Sequence, residues 1–423
     1  MNPEFKTVDW ARSANIYEVN VRQYTKDGTF NAFAEHLPRL LDMGVKILWF
    51  MPIHPIGEIK RIGSLGSYYS IKDYKAINPE FGTIDDFKRL VDTAQFMGFK
   101  VIIDWVANHT AWDHVWTMNH RDYYELDEKG NLKSPYDWED VVQINHSSAE
   151  QQHAMIDAMK FWINECNLDG FRCDMAHLIP LDFWRNARKE LDAIKPLFWL
   201  AETEDAAYHD VFDATYTWQF LHKIEQYSRL QADTAGLDAV LYNYNDSFPQ
   251  DAIRAYFTSN HDENSHSGSE YERLGDAAKV FAVLCATWNG VPLIYSGQEL
   301  PNRKRLRFFD KDEIEWSNNC ELHDFYKTLL NLHTTNSALS AGDNNVVTYR
   351  LKTTDNRVFC FLRKTQNREV LIVLNLAPGW VSFSINDPAV SGMYKNIFSE
   401  NEVLEVNNFL FHFSAWDFKV FEK

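Results

Sequence analysis

Short apolar runs alternate with longer amphipathic stretches over roughly the first 340 residues of the chain. The runs are "NIYEVNV" (15–21), "KILWFMPI" (46–53), "KVIIDWVAN" (100–108), "GFRCDMA" (170–176), "LFWLAET" (197–203), "FDATYTW" (212–218), "IRAYFTSN" (253–260) and "VPLIYSG" (291–297). Each has the length of a buried strand, and helical-period stretches lie between them, which is the rhythm of a parallel α/β sheet. Eight such strands predict a (β/α)8 barrel. One intervening stretch, "TIDDFKRLVDTAQFMG", reads as a complete helix: Thr83 is a candidate N-cap, the first turn is acidic, and Gly98 closes it.

Two segments break the rhythm. Between the third and fourth strands lies a polar, aromatic-rich stretch, 110–146, and connections that long are usually functional. After about Leu339 the period becomes two, in "VVTYRLKTT", "RVFCFLRKT" and "EVLIVLNL" separated by "DN" and "QN", which predicts an antiparallel β domain. The expected organisation is a barrel from 1–109 and 147–339, a short inserted domain at 110–146, and a β domain at 340–423.

Composition narrows the function. The formal charge is −18 and no basic run resembles a nucleic-acid patch, so polyanionic partners are not expected. The first twenty residues lack an apolar signal core and no stretch is long enough to span a bilayer, so a cytoplasmic protein without a membrane partner is expected. Cys166, Cys173, Cys285, Cys320 and Cys360 are scattered without metal or disulfide spacing, and the histidines form neither H-x-H nor H-E-x-x-H. The sequence leaves the oligomeric state open.

In a β/α barrel the chemistry sits at the C-terminal ends of the strands. Four of those ends carry polar groups: Asp104, Asn108 and His109 after the third; Arg172 and Asp174 on the fourth; Glu202 after the fifth; Asn260, His261 and Asp262 after the seventh. Residues two apart on a strand share a face, so Arg172 is expected beside Asp174, holding it ionised as a nucleophile requires. Glu202 follows "LFWLA", where desolvation keeps a proton on the carboxyl. Such a pair suits a retaining glycosidase, whose carboxyls stand about 5–5.5 Å apart. Taken alone, an Arg/Asp pair on a strand is more often a buried ion pair or a helix cap than a catalytic group. His177 fits a cap, a substrate contact or a plain surface residue.

The motifs "DWVANH" (104–109), "GFRCDMAH" (170–177), "AETE" (201–204) and "TSNHDEN" (258–264) resemble, in order, the four principal segments of the α-amylase family, glycoside hydrolase family 13. "GVKILWFMPIHP" (44–55), "YSIKDYKAINPEFGTIDDFKRLV" (69–91) and "GVPLIYSGQE" (290–299) resemble its accessory segments. The resemblance implies a TIM barrel with a C-terminal β-sandwich, an α-1,4-glucan substrate, Asp174 as nucleophile, Glu202 as general acid/base and Asp262 as the third carboxylate. It places Tyr69, Asp104, His109, Arg172, His177 and His261 around the sugar. It also implies two departures. Gln143, in "VVQIN", stands where an aspartate ligates calcium in many members; Asn108, the other candidate calcium ligand, is retained, so a tight calcium site is not expected and the chemistry requires no cofactor. His177 and Leu178 stand where lysine-histidine commonly follows the nucleophile. The same carboxylates would serve a transglycosylase or isomerase. A non-catalytic relative would lack these carboxylates, and a metal-dependent barrel hydrolase would need clustered histidines.

Overall fold

The computed structural model describes residues 5–317, 319–399 and 401–423. Its first ten strands are β1 (Ile16–Val19), β2 (Ile47–Phe50), β3 (Lys100–Trp105), β4 (His109–Ala111), β5 (Val141–Gln143), β6 (Gly170–Cys173), β7 (Phe198–Ala201), β8 (Ala214–Tyr216), β9 (Ile253–Tyr256) and β10 (Val291–Tyr295). Eight of them close into a barrel in the order β1-β2-β3-β6-β7-β8-β9-β10. Neighbours pair in parallel all the way round, including the closing pair Ile16↔Leu293. All eight runs expected from the sequence are therefore barrel strands. Residues on both faces of these strands are buried, which is why the runs are apolar without strict alternation.

The strands are shorter than the apolar runs. β6 ends at Cys173, so Asp174 lies one residue past the strand; β7 ends at Ala201, so Glu202 does likewise. Both keep a ladder-like bond: Asp174 N–H donates to the Trp105 carbonyl (3.0 Å) and Glu202 N–H to that of Cys173 (3.0 Å). The chain then turns away, because the next residues must leave the mouth of the barrel for their helices. Met175, immediately after, sits at φ +40°, a left-handed conformation uncommon for a side-chain-bearing residue.

The helices follow the expected signals. Thr83 caps Ile84–Phe96 in a reciprocal box with Asp86, and Gly98 (φ +98°) releases the chain into β3. Ser148 caps Ala149–Cys166. The inserted stretch contains β5, which pairs antiparallel with β4 in the register His109↔Gln143.

Eight further strands follow the barrel: β11 (Val347–Leu351), β12 (Val358–Lys364), β13 (Glu369–Asn375), β14 (Val381–Ser384), β15 (Met393–Asn396), β16 (Val403–Glu405), β17 (Leu410–Phe413) and β18 (Phe418–Glu422). They form a six-stranded antiparallel sheet, β11-β12-β13-β18-β15-β16, and a two-stranded sheet, β14-β17. Alternation divides the central strands between two cores. Cys360, Leu362, Leu371 and Val373 join Phe383, Phe411 and Phe413 of the small sheet, whereas Phe359, Phe361, Val370 and Ile372 belong to the core of the barrel. Trp288, at the foot of the last barrel strand, meets Phe361 edge-on at 4.7 Å.

Candidate active site

The polar strand ends meet at one guanidinium. Arg172 is fully buried and its Nη1 donates to Asp104 Oδ1 (3.0 Å), Asp104 Oδ2 (3.1 Å) and Asp174 Oδ1 (3.0 Å). Its Nη2 forms an ion pair with Glu202 Oε2 at 3.0 Å, off the line of a good hydrogen bond, and Nε donates to Tyr216 Oη (3.2 Å). Trp49 lies under the guanidinium at 4.9 Å and donates its indole N–H to Asp104 (3.2 Å). One cation thus gathers carboxylates from β3, β6 and β7, which are neighbours in the barrel.

Exposure separates the carboxylates. The Asp104 side chain is completely covered, whereas Asp174 and Glu202 keep 9% and 7% of theirs open and Asp262 keeps 41%. Asp104 is a buttress beneath the floor, and the other three carboxylates reach the solvent at the mouth. Glu202 is oriented from a second direction, because the left-handed turn at Met175 aims its backbone N–H at Glu202 Oε2 (2.8 Å). Strain of this kind persists where the surrounding structure holds it, and it clusters at functional sites.

The second cation is His261. Its Nδ1 meets Glu18 Oε1 at 2.5 Å, and its Nε2 meets Tyr69 Oη at 2.7 Å and Asp262 Oδ2 at 3.2 Å. Tyr69 in turn donates to Asp104 Oδ2 (3.1 Å) and stacks on the imidazole at 5.3 Å. With the Tyr69 proton given to Asp104, both ring nitrogens of His261 are free to donate, Nδ1–H to Glu18 and Nε2–H toward Tyr69 and Asp262. Burial alone would lower the His261 pKa, but Asp262 and Glu18 outweigh it and raise it well above the usual value.

Charge then dictates the protonation of the floor. Burial pushes Asp174 up to about 7, against the pull of Arg172, and raises Asp104 to about 6 and Glu202 to about 6. Asp262 moves the other way, to about 2: burial opposes ionisation, but the His261 pair outweighs it. This corrects the expectation that Arg172 beside it holds Asp174 ionised. Burial of Asp174, together with repulsion from Asp104 and Asp262, outweighs the pull of the guanidinium.

The remaining expected residues lie around this core. His109 is buried at the base of the inserted hairpin, where Trp138 meets its ring edge-on at 5.4 Å; burial lowers its pKa to about 4. Asn260 is buried, and its Oδ1 accepts from Glu263 N–H (2.8 Å), which ties down the turn that carries Asp262. His177 is exposed on the rim, with Nδ1 3.5 Å from the Glu202 carbonyl. Asn108 Nδ2 and His109 Nδ1 are 3.2 Å apart, and Gln143 Nε2 donates to Asn108 Oδ1 (2.9 Å) and to its carbonyl (3.3 Å), which already accepts from Ile144 N–H (3.0 Å). Donors therefore occupy the oxygens a calcium ion would need, and these residues do not fit a divalent cation. Among the described residues no three His, Cys, Asp or Glu side chains converge as metal ligands.

Sequence reasoning missed Glu18, Trp49, Tyr216 and the Met175 N–H. Glu18 had a legible signal, a lone carboxylate within the apolar run "IYEV". The others look like ordinary core residues until the barrel closes.

The family model described as the alpha amylase catalytic domain matches residues 11–143 and 136–324. The chain belongs to the alpha-amylase family. A curated relative, alpha-amylase MalA of Haloarcula japonica, is 28% identical over 86% of the chain and 56% of its own length. The α-1,4-glucan:maltose-1-phosphate maltosyltransferase of Rhodospirillum rubrum is 29% identical over 83% of the chain and 54% of its own. The chain thus spans little more than half the length of either. An alpha-amylase from Lactobacillus plantarum, solved as a crystal structure, superposes with a TM-score of 0.88 at 28% identity, covering 97% of this chain and 99% of that one. No helix among the described residues is long and apolar enough to cross a membrane.

Proposed function

We propose that the protein is a retaining glycosidase that cleaves α-1,4-glucosidic bonds of starch or maltooligosaccharides by double displacement. The observation that carries this reading is the single buried guanidinium of Arg172, which grips Asp174 and Glu202 side by side at the open end of the barrel. In the first step Glu202 protonates the glycosidic oxygen while Asp174 attacks the anomeric carbon, giving a covalent glycosyl enzyme and a free leaving group. In the second, Glu202 takes a proton from water, whose oxygen displaces Asp174 and restores the α configuration.

The raised pKa of Glu202 suits its role as proton donor, whereas that of Asp174 opposes the ionised state its role requires. Burial raises the Glu202 pKa to about 6, which makes it a readier proton donor than an ordinary glutamate. Asp174 must be ionised to attack, a state that its burial opposes and the Arg172 guanidinium 3.0 Å away favours. Asp262, anchored by His261 and more open to solvent, is placed to accept from sugar hydroxyls, and His109 and Tyr69 line the same mouth. His177, on the rim, would touch the leaving-group side.

The presence of a maltosyltransferase among the relatives favours keeping one alternative, transfer of the glycosyl group to a sugar rather than to water. Initial-rate product analysis on maltoheptaose decides between them: products longer than the substrate at early times indicate transfer. For the proposed chemistry, Glu202→Gln is expected to lower kcat by about 10²–10⁴-fold, and Asp174→Asn to abolish turnover, both with the fold retained. Anomeric NMR should show α products first. Initial β products, or full activity in Asp174→Asn, would overturn the assignment.

A further inference from the structure

Gln143 stands where the family resemblance implies an aspartate, and its bonding fixes the direction of every proton in a short chain of groups. The nitrogen assignment begins at a carbonyl. The side-chain atom of Gln143 that lies 3.3 Å from the Asn108 backbone oxygen must be a donor, because a carbonyl only accepts, so this atom is Nε2. The same nitrogen is 2.9 Å from the Asn108 side chain, which makes the facing atom Oδ1 and turns Nδ2 to the opposite side. There Nδ2 lies 3.2 Å from His109 Nδ1. An amide NH2 only donates, so His109 Nδ1 is an acceptor without a proton, and the ring carries its hydrogen on Nε2.

The backbone holds the start of this chain firmly. Gln143 N–H donates to the Lys133 carbonyl (2.8 Å), its own carbonyl accepts from Glu125 N–H (2.9 Å), and it stands opposite His109 in the β4–β5 ladder. From this geometry we propose that Gln143 is a positioning residue: through Asn108 it locks His109 as the neutral Nε2–H tautomer, doing without a metal what a carboxylate and a cation would otherwise do at this junction. A carboxylate at position 143 would face two acceptor oxygens of Asn108. Without a cation, Asn108 would turn its NH2 toward the carboxylate and its Oδ1 toward His109, which reverses the histidine tautomer. With calcium, the carboxylate and the two Asn108 oxygens would converge on the ion, and the original orientation would return.

The inference rests on the proposed function only in giving His109 a sugar to contact; the tautomer itself is independent of the substrate. The tests are therefore chosen to separate the two. In ¹⁵N-histidine NMR of the whole protein, with His109→Gln identifying the resonance, wild type should show an unprotonated Nδ1 and Gln143→Glu a protonated one. On maltoheptaose, Gln143→Glu in EDTA should lose about tenfold in kcat/KM, the equivalent of one hydrogen bond. Millimolar calcium should restore it and raise the thermal midpoint of this variant, while neither calcium nor EDTA should move the wild type. Gln143→Ala, which removes the donor without adding charge, should lose activity that calcium does not restore. Loss of wild-type stability or activity in EDTA, or an unchanged His109 tautomer in both variants, would overturn the proposal. If maltoheptaose is not a substrate, the NMR and thermal readouts still decide it.

Discussion

At the scale of single residues, the active site concentrates charge that the fold must bear in the absence of substrate. Asp104, Asp174 and Glu202 share one guanidinium, and burial raises all three. A carboxyl raised in the folded state binds its proton more tightly there than in the unfolded chain. Its contribution therefore favours folding below the ordinary value of 3.8 and is lost as the pH climbs to about 7. Asp174→Asn should remove that loss, stabilising the protein by about 1–3 kcal/mol at pH 8 and by little at pH 4. Urea unfolding at the two pH values checks this, and equal effects at both would show that Asp174 carries no such penalty. The variant should be more stable and inactive, a trade between stability and activity that sites of this kind display. His261 works in the other direction: with Glu18 behind it and Asp262 in front, it is a cation that keeps the third carboxylate ionised.

At the scale of elements, the positions of these side chains depend on how closely neighbouring strands approach. Gly170 opens β6, and a Cβ there would lie 2.0 Å from the Phe198 carbonyl on β7, a backbone atom that cannot turn aside. Gly170→Ala should therefore push β6 from β7 at a cost of about 2–4 kcal/mol. Because Arg172 lies on β6 and Glu202 directly follows β7, the movement should lower kcat as well. A denaturant midpoint and a kcat both equal to the wild type's would refute this. The motif "GFRCDMAH" thus has a structural reason at its start and a chemical one in its middle. The strands themselves were readable from apolar runs, but their ends were not. Asp174 and Glu202 leave the ladder one residue beyond the last paired position, and hydrophobicity carries no record of where a backbone turns.

At the scale of the whole molecule, the barrel and the C-terminal sheet share a core. The period of two in "RVFCFLRKT" suggests a strand with one buried face, yet β12 is buried on both, because Phe359 and Phe361 pack toward the barrel while Cys360 and Leu362 pack toward β14 and β17. Trp288 is the contact from the barrel side. Trp288→Ala should destabilise the protein by about 3–5 kcal/mol while leaving kcat at low temperature unchanged, since the residue lies at the end of the barrel opposite the site. Thermal unfolding together with assays below the transition would test it, and a large loss of kcat would show that the interface shapes the mouth.

The sequence alone determined the order of eight strands, the change to an antiparallel domain and the identity of the polar strand ends, because burial and local backbone preference are written in composition and period. Tertiary structure decided which of those ends share a cation. Arg172 is adjacent in sequence only to Asp174, yet closure of the barrel brings Asp104 and Glu202 to the same guanidinium and Glu18 to His261 across 243 positions of chain. Electrostatic interactions depend on distance in space, so the meeting of three carboxylates at one cation, and the chain of hydrogen bonds from Gln143 through Asn108 to His109, came into being only when the barrel closed.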